Sequence, residues 1–251
     1  MEYKIISGSV EEIRRSYIDM GARYSPPKRR GVRVKGKTTR KKLEANEREA
    51  VKQLARLINC NFGAGDLWIT VGYDDDTLAA MGADPEERKA QGKEYLQKFI
   101  KKCQRQLRGE GRKLRYIATT SVKASGSEEA ARLHHHIIMD RLDYERLCGL
   151  WPCGSEYISY RIIDGRGDYT GIARYMLQNA GAANGKKRWT SSLGLKKPVF
   201  TEPVPVKDLA IKAPRNGRIE ENVILYDREG GAGSAYMRYV RLPKQPKRRR
   251  E

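Results

Sequence analysis

The hydrophobic and polar positions change their period along the chain, and each change marks an element. From Thr38 to Ile58, residues Leu43, Ala50, Val51, Leu54, Leu57 and Ile58 recur at helical spacing, which predicts an amphipathic helix with a charged outer face. Asn59 to Asp66, rich in Gly and Asn, ends it. Leu67-Trp68-Ile69-Thr70-Val71-Gly72-Tyr73 is β-branched and aromatic and predicts a buried strand. Asp74-Asp75-Asp76 opens a loop. Asp84 stands as an N-cap, with Pro85 at the first helical position and Glu87 at the capping-box position. Leu96, Phe99, Ile100, Cys103 and Leu107 form one stripe of the helix that follows, and Gly109 and Gly111 stop it. Arg115 to Val122 predicts a second strand, Ala124 to Glu129 a turn, and Arg132 to Asp140 a third strand. Asp143 caps a short helix through Leu150, Tyr157 to Ile163 is a fourth strand, and Asp168 caps a last helix through Asn179.

The order β-α-β-β-α-β followed by a helix predicts an α+β fold with a ferredoxin-like, split βαβ core. In that arrangement the sheet is four-stranded and mainly antiparallel, and helices cover one of its faces. The strand after the turn is internal. The other face is free to hold a ligand beneath the last helix. After Pro198, Asn222 to Tyr226 and Ala235 to Leu242 read as edge strands separated by Gly230-Gly231-Ala232-Gly233.

That third strand carries all three histidines of the chain, consecutively: His134, His135 and His136. Purification tags lie at termini and run longer. Side chains alternate along a strand, so His134 and His136 share one face and His135 takes the other. Two imidazoles on one face, two residues apart, can chelate one metal ion. Two imidazoles completed by oxygen ligands suit Mn²⁺ or Mg²⁺. His135 reads as a packed or hydrogen-bonded residue beneath the helices.

The last helix divides by face. At about 100° per residue, Tyr169, Ile172, Ala173, Met176 and Ala180 form the apolar stripe. Tyr175 and Gln178 lie off it, neighbours at i and i+3. Tyr169 is therefore a core tyrosine, and Tyr175 is either a surface tyrosine or a functional one.

Charge changes the picture further. The 251 residues include 51 Lys and Arg against 31 Asp and Glu, a formal net charge of +20. A field of that sign attracts phosphates, which points to nucleic acid or an anionic membrane. No run of about 18 apolar residues spans a bilayer. The opening MEYKIISGSV lacks the basic-then-apolar pattern of a signal peptide. The four cysteines form no disulfide framework, and a reducing cytoplasm is expected. From Arg23 to Lys42 there are ten Lys and Arg and no acidic residue, with Pro26-Pro27 and glycines. This reads as an extended electrostatic arm presenting Arg29, Arg30, Lys35 and Lys41 to nucleic acid. Lys186, Lys187 and Arg188 flank Trp189, the best candidate for stacking on a base. Tyr73, Trp68 and Trp151 are further stacking candidates, with Trp68 and Trp151 expected in the core. Lys244, Lys247, Arg248, Arg249 and Arg250 make a basic tail.

A histidine pair on a strand, followed by a tyrosine helix in a strongly basic chain, resembles the HUH endonucleases. It is most similar to the rolling-circle replication initiators of bacterial plasmids, integrative elements and phages, including the phage gene II type. Four blocks carry the resemblance: Leu67 to Tyr73, His134 with His136, Ala173-Arg174-Tyr175-Met176-Leu177, and Arg188 to Ser192 with Leu195 to Pro198. The resemblance implies a domain over 37–198, with a basic arm at 1–36 and a C-terminal extension at 199–251. It implies Tyr175 as nucleophile, His134 and His136 as ligands of a divalent ion, and single-stranded DNA at a replication origin as substrate. Host helicase and polymerase would complete replication in a bacterial cytoplasm. Where the family usually carries a lysine three residues after the tyrosine, this chain has Gln178, and Arg174 or Lys186 is left to supply a cation. The family's acidic or amide third ligand would fall near Ser121, where Thr119-Thr120-Ser121 stands. Glu128, Glu129 or water remain for that place. Relaxases and single-tyrosine transposases share this chemistry. A non-catalytic basic nucleic-acid-binding protein with a structural metal is the alternative of a different class.

Overall fold

The computed structural model describes residues 1–18, 39–121, 132–180, 188–227 and 232–243. In chain order its elements are β1 (Glu2–Ser7), β2 (Val10–Ile18), α1 (Arg40–Asn61), β3 (Leu67–Val71), α2 (Asp75–Ala80), α3 (Pro85–Gly109), β4 (Tyr116–Ser121), β5 (His134–Met139), α4 (Tyr144–Leu150), β6 (Ile158–Ile162), α5 (Thr170–Asn179), β7 (Thr190–Ser191), β8 (Val199–Phe200), β9 (Gly217–Asp227) and β10 (Ala232–Arg241). The fold is α+β, with two antiparallel five-stranded sheets. The chain separates into two compact units, 1–60 with 197–251, and 61–196.

The second unit carries the histidines. Its sheet runs β6-β3-β5-β4-β7, so β5 is flanked on both sides. Register sets Thr70 and Thr119 opposite His136 from the two neighbouring strands, and Ser121 opposite His134. The alternate positions Leu67, Ile69, Val71, Ala118, Ile137 and Met139 join Leu96, Phe99, Ile100, Cys103 and Leu107 of α3 and Leu147 of α4 in one buried cluster. Helices α3 and α4 therefore cover the His135 face. Asp84 caps α3 by accepting from the Glu87 amide at 2.9 Å, with Pro85 at the first position. The expected loop at Asp74 to Asp76 is instead a cap and a helix start. The Asp74 carboxylate accepts from the Thr77 amide at 2.6 Å, which satisfies a donor of α2 that nothing in the helix can reach.

Helix α5 begins at Thr170, and the Asp168 carboxylate accepts from the Thr170 amide at 3.0 Å. Tyr169, Ala173, Met176, Leu177 and Ala180 are buried. Leu177 thus takes the place on the inner face that periodicity gave to Ile172, which is only half-buried. The buried arc is therefore wider than the one apolar stripe.

The first unit departs most from expectation. Residues 2–18, assigned to a basic arm over 1–36, form the β1–β2 hairpin of a second sheet, ordered β8-β1-β2-β10-β9. Gly8 turns the hairpin at φ +62°, and a Cβ there would collide with the Asn59 carbonyl oxygen of α1. Tyr3-Lys4-Ile5 and Glu11-Glu12-Ile13 mix charge into every turn of the alternation, which conceals the strands from a hydrophobic pattern. Glu11 is met by Tyr239 and Arg241 of β10, and Glu12 by Arg56 of α1. Helix α1, expected in a domain over 37–198, packs with this unit, and its first turns including Leu43 are exposed. The predicted edge strands are a long β9, which is an edge, and β10, which is internal between β2 and β9. Among the described residues no helix is long and apolar enough to cross a membrane.

Candidate active site

The candidate side chains lie on the β5 face turned away from α3. The Nε2 atoms of His134 and His136 are 3.1 Å apart. Each imidazole is held from behind through Nδ1. His134 Nδ1 lies 2.8 Å from the Arg132 carbonyl oxygen, and His136 Nδ1 lies 2.9 Å from the Thr70 hydroxyl. A carbonyl can only accept, so His134 donates through Nδ1 and its Nε2 carries a lone pair. Burial, with the neighbouring His134, pushes His136 down to about 3, and burial also lowers His134 against the opposing pull of the Arg132 carbonyl. Both rings are therefore neutral near pH 7, the state in which imidazole binds a cation.

The donor set fits a divalent ion. A separation of 3.1 Å is the span of two adjacent positions on one octahedral ion with metal–nitrogen bonds of about 2.1 Å. The Nδ1 contacts orient both rings from outside, as metal-binding histidines generally require. The Thr119 hydroxyl is buried beside His136 and has no hydrogen-bond partner among the described residues. An orphaned hydroxyl at that place suits a water carried by such an ion. Among the described residues no third His, Cys, Asp or Glu joins the pair. Glu128 and Glu129, the carboxylates expected to complete it, lie outside the described residues.

Helix α5 brings Tyr175 to the same place. Its ring centroid is 5.0 Å from that of His136 and 5.8 Å from that of Trp68, and the ring is 45% exposed. Trp68 was expected in the core. It alternates instead with buried Leu67 and Ile69 and is half-buried on the histidine face. Arg174 and Gln178 are both exposed on α5, Gln178 one turn beyond Tyr175. Tyr169, by contrast, is buried and donates its hydroxyl to the Asp164 carbonyl at 2.9 Å.

His135 points into the core. Its Nε2 lies 2.6 Å from the Tyr73 hydroxyl and its Nδ1 3.0 Å from that of Thr120. Tyr73 also donates to the Gly92 carbonyl at 3.1 Å. The phenol has one hydrogen, so His135 donates through Nε2 and accepts from Thr120. Tyr73 is fully buried and offers no surface to a base, and Trp151 is likewise in the core.

The basic candidates separate. Arg188 donates to the Leu177 carbonyl oxygen at the end of α5. That contact caps orphaned helical carbonyls and sets a cation at the negative end of the helix dipole. Trp189 beside it is half-buried, and Lys41 is exposed at the start of α1. Arg29, Arg30, Lys35, Lys186, Lys187 and the basic tail lie outside the described residues.

Thr70 and the place of Thr119 beside His136 are what the sequence left unread, and Trp68, a stacking candidate expected in the core, joins them on the histidine face. Their signal was present as the polar phase of two strands, Trp68-x-Thr70 and Thr119-x-Ser121, but only register shows that this phase meets the histidines. Comparison with protein-family models, with curated proteins and with solved structures finds no match.

Proposed function

We propose that this protein is a metal-dependent endonuclease of the HUH type that cleaves and rejoins single-stranded DNA through Tyr175, acting at a replication origin. The observation that carries this reading is the Tyr175 ring 5.0 Å from His136, whose Nε2 is paired at 3.1 Å with that of His134. The sheet order β6-β3-β5-β4, with β5 internal, supports the ferredoxin-like core that the reading requires.

A Mn²⁺ or Mg²⁺ ion held by His134 and His136 would supply electrophilic polarisation of a phosphate oxygen. The chain's own residues do the rest. The Tyr175 phenolate oxygen attacks phosphorus, an O–P bond to tyrosine forms, and the bond to the 3′ oxygen breaks. The phenolic proton leaves to solvent, to which the ring is open, and the departing 3′ oxygen takes up a proton. One phosphodiester replaces another, so the reverse attack by a 3′ hydroxyl restores the strand without an external energy source. Gln178 donates its amide hydrogens toward the phosphate, where the resembling family carries lysine. Trp68 offers an aromatic surface to a base beside the scissile link.

Incubation of the full chain with single-stranded DNA and Mn²⁺, followed by denaturing electrophoresis, tests the reading. The expected result is a covalent protein–DNA adduct with wild type and none with Tyr175→Phe. An adduct that persists in Tyr175→Phe and disappears in Tyr169→Phe would show the wrong tyrosine had been chosen. Binding of single strands without cleavage by any form would favour a non-catalytic nucleic-acid-binding protein, the reading that suits a site with two strong protein ligands among the described residues.

A further inference from the structure

We propose that the histidine-bearing unit holds a second, non-catalytic contact for single-stranded DNA, a cleft of about 480 Å³ between the end of α3 and the start of α4. Its lining includes Arg112, Arg141, Arg146, Asp143, Tyr144 and Tyr160. The volume falls in the range of pockets that enclose a small organic ligand. The inference rests on the reading that the histidine face works on single-stranded DNA, and it names where the flank of that strand goes.

Chemistry selects the ligand. Arg112 and Arg146 both pair with Glu110, at 3.2 and 2.8 Å, so that carboxylate is already neutralised. Arg141 is exposed and forms no ion pair with any described residue, which leaves its guanidinium to fork onto a phosphate. Tyr144 stands edge-on to Tyr160 with centroids 5.2 Å apart and is 43% exposed, a surface for one base. The Asp143 side chain makes no capping bond to α4. Its acceptor oxygens suit a base that bears an exocyclic amine, as cytosine does. A lone phosphate would use Arg141 and leave Tyr144 and Asp143 without work, so a nucleotide unit fits the lining better.

Position makes the cleft reachable from the histidines. Strand β6 is one edge of the sheet among the described residues. Tyr160 faces the cleft, while its neighbours Ser159 and Arg161 stand in register with Thr70 and Trp68 on the histidine face. His136 is two interstrand spacings from β6, about 10 Å. Arg161 is exposed at that edge. A single strand leaving Trp68 can cross Arg161 at the rim and set its next bases against Tyr160 and Tyr144.

The experiment uses the full chain and a fluorescein-labelled 24-nucleotide single strand containing cytosine, read by anisotropy over a salt series. Binding is measured in a Tyr175→Phe background, and adduct formation with Mn²⁺ in a Tyr175 background. Tyr144→Ala should weaken binding about tenfold and Tyr144→Phe should restore it, because stacking needs the ring and not the hydroxyl. Arg141→Gln should lower the salt slope by about 0.7 for the lost phosphate contact. Replacing cytosine by thymine should weaken wild type and leave Asp143→Asn unaffected. Unchanged affinity and slope in Arg141→Gln and Tyr144→Ala overturn the cleft, while an adduct through Tyr175 in the same proteins keeps the proposed function. Loss of affinity in these variants with no adduct from wild type supports the cleft and removes the nuclease.

Discussion

The Thr70 hydroxyl stands 2.9 Å from Nδ1 of His136, and the two residues face each other in register across β3 and β5. That pairing ties the orientation of a histidine on one strand to a side chain on the next. A hydroxyl can donate or accept, so Thr70 serves either tautomer of the ring. When Nε2 gives its lone pair to a cation, Nδ1 must carry the hydrogen and donate to Thr70, and the hydroxyl accepts it without moving.

Removing that partner should weaken the ion more than the fold. Thr70→Val keeps the β-branched shape and takes away the acceptor. Mn²⁺ affinity, read by the loss of the free-ion signal in electron paramagnetic resonance, should fall about 10- to 100-fold. Thr70→Ser should stay near wild type. Equal affinity in all three proteins would mean that Thr70 only fills space.

His135 predicts the opposite division. It is wholly buried between Tyr73 and Thr120, and burial with the two flanking histidines pushes it down to about 3. Tyr73→Phe leaves the Nε2 hydrogen without an acceptor and should cost about 1–3 kcal/mol of stability in urea unfolding. Mn²⁺ affinity should stay within twofold of wild type, since the ring lies on the far side of the sheet from His134 and His136. A large loss of affinity would show that the two faces are coupled through β5.

The contrast between these histidines was legible in three letters of sequence, because alternation on a strand is rigid. The tyrosine helix was legible for the same reason, since Tyr175 sits off the stripe that buries Tyr169, Ala173 and Met176. What escaped was anything that depends on pairing between distant segments. Thr119 and Thr70 look like ordinary strand residues until register sets them beside His136. Arg188 looks like a surface cation until its guanidinium reaches the Leu177 carbonyl. The β1–β2 hairpin escaped because Glu11 and Glu12 break the apolar alternation, and the partners that let them be buried, Tyr239, Arg241 and Arg56, lie far along the chain.

Gln178 invites a gain of function. It is exposed one turn from Tyr175, where the resembling family carries lysine. A cation there favours the phenolate over the phenol. Gln178→Lys should speed adduct formation at pH 7 by about tenfold. The advantage should shrink as pH rises, because hydroxide then competes to take the proton in both proteins. A pH-independent ratio between the two proteins would place the lysine's effect on DNA binding rather than on the nucleophile.

Glu12 and Arg56 make the acid limb of stability predictable. The guanidinium forks onto the carboxylate at 2.6 and 2.7 Å, both side chains are buried, and Tyr236 donates to Glu12 at 3.0 Å. Burial alone would raise Glu12, but the hydrogen bonds and charge of Arg56, with Tyr236 and Arg14, prevail and lower it below the ordinary value of 4.5. Arg56 is raised correspondingly, against its own burial, so it stays charged throughout. A depressed carboxylate stabilises the folded state fully above its unfolded value, begins to lose that contribution as pH drops below about 4.5, and has none left below its folded value. Glu12→Gln leaves the Arg56 charge buried without its counter-ion and should cost about 3–5 kcal/mol at pH 7. Urea midpoints of wild type and variant should stay a constant distance apart from pH 8 to about 5, then converge as wild-type Glu12 takes up its proton. Parallel curves down to pH 2 would show that the carboxylate charge contributes nothing and that the fork is held by shape alone.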